Sequence, residues 1–293
     1  MKKSLRHNPL PDFAVIGSMR AGTTMLQDLL DGVQGICLAR MKETDFFIKS
    51  KNYHLGKSWY EGQFKRRQDI CGEISPNYTK RDVFPEAAEL LYKSNPNAKL
   101  IYIVRDPVAR AISQFNHTFL MSGKPEIENL LDSHEGRHIL NTSRYAWQIE
   151  PWLETFGRKS VLIVDFKDIT KNTSETIKDI CSFIGAGEDI TVSSQHSISN
   201  STEQIGALPV WWKEMRENPL GNAIRASMPR NAVRLAKKIL TSRAPLQNPP
   251  KIPHSIKSEI RKMLSEDTER FREITGLPFA EWDEIVQKSN EVT

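Results

Sequence analysis

The run Phe13-Ala14-Val15-Ile16 passes without a polar interruption into Gly17-Ser18-Met19-Arg20-Ala21-Gly22-Thr23-Thr24, and this join constrains the fold more than any other stretch. Four consecutive apolar residues leave no side for solvent, so the run predicts a strand buried on both faces, as in a parallel sheet covered by helices. Leu100-Ile101-Tyr102-Ile103-Val104 and Val161-Leu162-Ile163-Val164 have the same character, and Ile36-Cys37-Leu38 and Ile70-Cys71-Gly72-Glu73-Ile74 are weaker candidates. Between them, helical spacing of apolar residues predicts helices over about 23–31, 85–94, 107–120, 143–157 and 173–184. The alternation is that of an α/β fold with a P-loop-like parallel β-sheet flanked by helices, and right-handed crossovers put every strand's carboxyl end on one edge. Strand signals stop near residue 190. A helical C-terminal region follows, with segments over about 207–240 and 254–274 separated by the proline-rich APLQNPPKIP. We read one domain over 1–293, with its core over about 10–190 and its helical part over about 200–293, and no internal repeat.

The segment after the first run resembles a phosphate loop with one residue changed. Gly17 and Gly22 keep the spacing of G-x-x-x-x-G-K-[ST] and Thr24 supplies the hydroxyl, but Thr23 stands where a nucleoside triphosphatase has lysine. A loop between a strand and a helix aims backbone amides and the helix dipole at an anion. Without the lysine nothing reaches a γ-phosphate, and the cation has moved to Arg20. The expected ligand is therefore a nucleotide with a short 5′ end, held by Arg20, Ala21, Gly22, Thr23 and Thr24. A plain glycine turn after a strand is the alternative.

The second constellation is LIYIVRDPVARAISQF. Arg105 ends a strand at the edge where open α/β sheets bind ligands, Asp106 can cap the next helix, and Pro107 suits its first turn. Ser113 lies about two turns along. A guanidinium and a hydroxyl converging on one point suit a second phosphate, so the two constellations outline a 3′,5′-bisphosphate. The competing reading is a surface pair of Arg105 and Asp106 at an ordinary helix start.

Composition narrows the class. A net charge of +5 suits an acidic small molecule or polyanion, but the basic residues are scattered among acidic ones, so nucleic acid is not expected as a partner. Cys37, Cys71 and Cys181 lie far apart, without C-x-x-C or a histidine at metal spacing, so neither a zinc site nor a disulfide framework is expected. MKKSLRHNPLPDF has a positive start but no apolar stretch to follow it, and no run of about 18 apolar residues occurs. The expectation is a cytoplasmic chain without a transmembrane segment.

IGSMRAGTT, MKETDFF, GEISPNYT and LIYIVRDPVARAISQF, in this order and spacing, resemble the sulfotransferases that use 3′-phosphoadenosine 5′-phosphosulfate (PAPS), above all the carbohydrate and heparan-sulfate-type O- and N-sulfotransferase branch and its bacterial relatives. RYAWQIEPWLETFGRKSVLIVDFKDI and the closing ITGLPFAEW extend the resemblance over nearly the whole chain. It implies that the first loop binds the 5′-phosphosulfate, that Arg105 and Ser113 bind the 3′-phosphate, and that the product is adenosine 3′,5′-bisphosphate. It further implies that Glu43 is the catalytic base and Arg20 the group stabilising the leaving phosphate, in a reaction that needs no metal. The acceptor is then a hydroxyl or amine of a carbohydrate, glycolipid or secondary metabolite.

Two departures stand out. Arg20 replaces the family's usual lysine, keeping the charge but changing its geometry. Ile74 stands where relatives often carry a lysine, which points to a less anionic acceptor or to a different local cation. Asp45 falls where relatives often have histidine, and Lys42, Glu43 and Asp45 read in isolation as a solvated triplet.

Among the histidines His54, His117, His134 and His138, His117 is the second candidate for the base, since it follows the Arg105 motif. Trp147, Trp152, Trp211 and Trp212 line an acceptor site or pack the core; Arg144 and Tyr145 open a helix that borders the cofactor in relatives; Arg243 or Lys251 lies where relatives fold a basic loop over it. A phosphotransferase or nucleotide kinase of the P-loop class is the runner-up, and a non-enzymatic polyanion-binding protein the third reading.

Overall fold

In the computed structural model, which describes residues 9–65, 69–122, 131–187, 249 and 251–282, the apolar runs form five strands: β1 (Phe13–Gly17), β2 (Ile36–Leu38), β3 (Ile70–Ile74), β4 (Lys99–Val104) and β5 (Val161–Asp165). All neighbours pair in parallel, in the order β2-β3-β1-β4-β5. The expected fold class is the observed one.

Alternation along each strand divides the core. Ala14 and Ile16 of β1 share one face with Leu100, Tyr102 and Val104 of β4, where α3 (Ala87–Ser94), α6 (Tyr145–Phe156) and Phe271 of α9 (His254–Thr275) cover them. Phe13, Val15, Ile101 and Ile103 point the other way, into Leu26 and Leu30 of α1 (Thr23–Asp31) and Ile177 and Ile180 of α8 (Thr173–Ile184). Both faces are therefore dry, as uninterrupted apolar runs require. A third cluster joins Val108, Ala111 and Phe115 of α4 (Pro107–Ser122) to Ile139 and Leu140 of α5 (His134–Ser143) and to Ile260 and Leu264 of α9.

Helices α1 and α8 have the expected bounds, and α9 ends one residue beyond the expectation. Sequence reasoning did not foresee α2 (Gly56–Glu61), α5 or α7 (Phe166–Lys171). Helix α5 is set by its cap, Ser133 Oγ accepting from Gly136 N at 2.9 Å, and α7 by Asp165, whose carboxylate accepts from Lys167 N at 2.9 Å. Capping fixed these short elements where periodicity was too brief to show. The expected helical segment over about 207–240, with Trp211 and Trp212, and Arg243 lie outside the described residues.

From β1 the chain moves towards β2 and β3, and from β4 towards β5 on the opposite side. The connections diverge between the carboxyl ends of β1 and β4. That is where an open parallel sheet forms a ligand crevice.

A glycine is required where β3 passes β1. A Cβ on Gly72 would lie 2.1 Å from the ring of Phe13, whose side chain fills the α1 face of the sheet. Gly72→Ala should destabilise the protein by about 1–3 kcal/mol, the usual cost of overpacking. In a denaturant-unfolding double-mutant cycle, Gly72→Ala combined with Phe13→Leu should lose less than the sum of the single losses. Additive losses would show that the ring is not what excludes the methyl group.

Candidate active site

The loop after β1 lies at that crevice. Ser18 N donates to Ile103 O at 2.8 Å, tying the loop to β4. Arg20 and Gly22 take left-handed backbone conformations, with φ of 68° and 94°. At Gly22 a Cβ would meet the Phe166 ring at 2.4 Å, so only glycine fits both the angle and the space. Helix α1 starts at Thr23 with no side-chain cap. The amides of its first turn have no side-chain acceptor, an arrangement that suits an anion.

The expected cations gather here. Arg20 Nε lies 3.4 Å from Ser113 Oγ, which comes from the second turn of α4. Ser113 thus meets Arg20 of the first loop and is not confined to Arg105. Burial, and then the field of Arg105, lower the Arg20 pKa, and Ser18 N on Ile103 O ties the Arg20 loop to the end of β4, which Arg105 follows. Arg105 lies over the Phe166 ring, 5.2 Å from its centroid, and its backbone is fixed by Tyr145, whose hydroxyl donates to Arg105 O at 2.9 Å. The surface pair with Asp106 does not form: Asp106 is buried, accepts from Ala109 N at 2.6 Å and faces Arg261 at 3.8 Å. Among the described residues neither Arg20 nor Arg105 has a carboxylate partner.

Lys42 was not foreseen as part of the loop. Its ammonium donates to Thr24 Oγ1 at 2.5 Å, and its pKa is lowered by burial and by Arg20, against the opposing fields of Glu43 and Asp28. A cation from another loop thus stands on the hydroxyl next to position 23. Nothing in local sequence separates Lys42 from a solvated lysine.

Arg110, one turn into α4, holds this arrangement together. Its side chain is fully buried, and it donates to Ser143 Oγ (2.7 Å), Met19 O (3.2 Å), Gln114 Oε1 (2.6 Å) and Ile139 O (2.6 Å). One guanidinium thereby joins the anion loop to α4 and α5. Burial lowers its pKa to about 10, so it stays charged near neutrality.

The segment carrying Glu43 is held from below. Glu43 and Asp45 both take left-handed conformations, with φ of 56° and 46°, and Glu43 N donates to Ile74 O at 3.1 Å. Between them Thr44 turns inward onto the buried carboxylate of Glu73. Glu73 also accepts from Tyr60 Oη (2.6 Å), Ser75 Oγ (2.9 Å) and Tyr78 Oη (3.0 Å). Burial raises its pKa, while these hydroxyls oppose the rise. Asp45 is buried, paired with Lys51 at 2.5 Å and bonded by Asn77 Nδ2 at 3.0 Å. It is an anchor of the loop, and the solvated-triplet reading fails. Glu43 alone of the three acidic or basic side chains makes no hydrogen bond among the described residues.

The remaining candidates separate clearly. His117 is half-buried near Arg20, and burial followed by that charge lowers its pKa. His138 is lowered by burial and by Lys80, whereas His54 and His134 are exposed. Trp152 packs in the core beside Tyr78 and Phe156. Trp147 lies under the Arg81 guanidinium at 5.3 Å, Arg144 reaches Asn141 Oδ1 at 3.4 Å, and Lys251 is exposed.

A protein-family model described as "Sulfotransferase domain" matches residues 10–224. The heparan sulfate glucosamine 3-O-sulfotransferase 3B1 of Mus musculus is 31% identical over 211 residues, covering 68% of this chain and 52% of that protein. The membrane-associated sulfotransferase kil1 of Dictyostelium discoideum is 37% identical over 168 residues, covering 56% of this chain and 34% of that protein. The chain thus spans about half, or less, of the length of the curated relatives it matches. A sulfotransferase from Alicyclobacillus acidocaldarius shares the fold, with a TM-score of 0.67, 19% identity and coverage of 93% of this chain and 98% of that one.

Arg110 offers the sharpest structural test. Arg110→Lys keeps the charge but cannot serve four acceptors spread around a planar fork. Several buried oxygens then lose their donors, at about 1–3 kcal/mol each, so urea unfolding should show a loss of more than about 3 kcal/mol. A loss within 1 kcal/mol (about the worth of one ordinary hydrogen bond) would mean that the guanidinium is not the clamp.

Proposed function

The chain belongs to the sulfotransferase domain family, and on that premise we propose that it transfers a sulfuryl group from PAPS to a hydroxyl or amine of a carbohydrate-type acceptor. The observation that carries the reading is the pair Arg20 and Arg105, two neighbouring guanidinium groups without a carboxylate partner among the described residues, beside an uncapped helix start. Like charges brought together in a half-buried crevice repel each other. An anion with two phosphate-type ends relieves both. The donor set suits PAPS: fork-shaped guanidiniums, a lysine, hydroxyls and backbone amides, which are the groups that bind phosphates.

Each residue then has a role. Arg20, Lys42, Thr24 and the amides of Gly22 and Thr23 hold the phosphosulfate end, with Ala21 shaping the loop through its own amide on Ser18 O at 3.2 Å, and Arg105 with Ser113 holds the 3′-phosphate. Glu43 takes the proton of the acceptor as its oxygen or nitrogen bonds to sulfur and the bond from sulfur to the bridging oxygen breaks. Arg20 and Lys42 stabilise the charge that this leaves on the 5′-phosphate. Arg105 contacts only the 3′ end, so it governs affinity more than chemistry.

Arg105→Ala should weaken binding of adenosine 3′,5′-bisphosphate at least about tenfold, as expected for a lost charge-assisted hydrogen bond, and should barely change binding of adenosine 5′-phosphosulfate. Calorimetric titration distinguishes the two ligands, and equal weakening would make Arg105 structural. Glu43→Gln should leave bisphosphate affinity and melting temperature unchanged while lowering turnover about 10²–10⁴-fold. Near-full turnover in that variant, with loss in His117→Asn, would transfer the base to His117. Lys42→Ala or Arg20→Ala should each lower turnover on the order of a hundredfold; an unaffected Lys42→Ala would show that its contact with Thr24 is incidental.

A further inference from the structure

Lys80 is 9% exposed, and among the described residues its ammonium makes no hydrogen bond or ion pair. Its stem is buried while its ammonium keeps some contact with solvent, so an incoming anion can reach a cation that no described group has taken. Lys80 lies in the turn that follows β3, on the carboxyl edge of the sheet, where its amide donates to Asn77 O at 3.0 Å and its carbonyl accepts from Phe84 N at 2.8 Å. Two turns of backbone therefore fix its position.

The charges that act on it most are Lys51, Asp45, Arg110 and Glu43, and His138 of α5 feels Lys80 in turn. None of these satisfies the ammonium. Asp45 is occupied by Lys51 and Asn77, Arg110 and Lys51 repel it, and Glu43 acts on it through space without an ion pair. Glu43 and Lys80 both lack side-chain partners among the described residues. The backbone places Lys80 on the Glu43 side of the crevice: Glu43 N donates to Ile74 O at the end of β3, Asn77 of the following turn bonds Asp45 at 3.0 Å, and Lys80 N closes that turn on Asn77 O.

We propose that Lys80 is an acceptor-specificity residue: its ammonium binds a carboxylate or sulfate on the sugar whose hydroxyl or amine is presented to Glu43. The inference rests on the sulfotransferase reading above. It also accounts for Ile74, which is buried in the core on the α1 side of the sheet and has no charge to offer an acceptor. Six residues further along, Lys80 supplies the cation.

The test uses the full chain saturated with adenosine 3′,5′-bisphosphate, so that bisphosphate affinity reports separately on the donor site. Two probes are titrated: an oligosaccharide of N-sulfated glucosamine and uronic acid, and the same oligosaccharide after carboxyl reduction and replacement of N-sulfate by N-acetyl. Wild type should prefer the anionic probe about 10–100-fold, the value of one charge-assisted contact. Lys80→Met should abolish the preference with bisphosphate affinity unchanged, and Lys80→Arg should restore it. Burial brings the Lys80 pKa to about 8, so the wild-type preference should fade as pH rises through about 8 while that of Lys80→Arg persists. No preference in wild type, or a preference intact in Lys80→Met, overturns the proposal. Should Lys80→Met fail to fold, Lys80→Gln is scored by the same ratio. Failure of wild type to bind the bisphosphate would instead refute the sulfotransferase reading itself.

Discussion

Arg110 is a fully buried guanidinium whose four hydrogen bonds all go to neutral oxygens, and that choice of partners decides what charge remains at the crevice. A carboxylate partner would have neutralised it and removed an anion-attracting field from the carboxyl edge of the sheet. Glu73 mirrors the arrangement: among the described residues this buried carboxylate accepts from the Thr44, Tyr60, Ser75 and Tyr78 hydroxyls alone. Each scaffold charge is satisfied without consuming an opposite charge. Arg20, Arg105, Lys80 and Glu43 are therefore left without an opposite-charge partner among the described residues, as the proposed ligands require.

The strand framework was legible because it depends on local pattern. Uninterrupted apolar runs mark strands buried on both faces, and the glycine spacing after the first run marks the turn into α1. Arg20, Arg105 and Ser113 were legible for the same reason, since each lies at a fixed offset from a strand end or within a helix start. Helices α2, α5 and α7 were not, because six or ten residues show too little periodicity and their caps resemble any turn. Lys42, Lys80, Arg110 and Glu73 were also missed as members of the site. Each acquires its role from contacts or fields reaching residues 13 to 91 positions away, and no spacing rule encodes such distances. The faint signal for Glu73 was its place inside an otherwise apolar strand, where a carboxylate needs buried donors.

The two departures from family pattern now have different explanations. Arg20 takes its changed geometry into a crowded setting, where Ser113 lies beside its Nε and Lys42 stands on the neighbouring Thr24. A planar fork uses several directions at once, and a second cation nearby supplies the point charge that a lysine would have given. The loss of lysine at position 74 is of another kind. There Ile74 fills the core on the α1 side, and the cation proposed for the acceptor, Lys80, comes from the turn that follows.

Backbone conformation links these observations to catalysis. Four non-glycine residues among those described have positive φ, and three of them, Arg20, Glu43 and Asp45, lie at this site. Each such residue costs on the order of 1–3 kcal/mol and persists only where its surroundings hold it. The holding groups are identifiable: Glu43 N on Ile74 O, Asn52 Nδ2 on Thr44 O at 2.6 Å, Thr44 on Glu73 and Lys51 on Asp45. Two left-handed residues within three positions let the chain send Thr44, Phe46 and Phe47 into the core while Lys42 and Glu43 stay only half-buried. An ordinary extended segment would alternate its side chains and could not direct two adjacent ones to the same crevice. The strain therefore holds on consecutive residues the cation and the base of the proposed transfer, positioned before any ligand arrives.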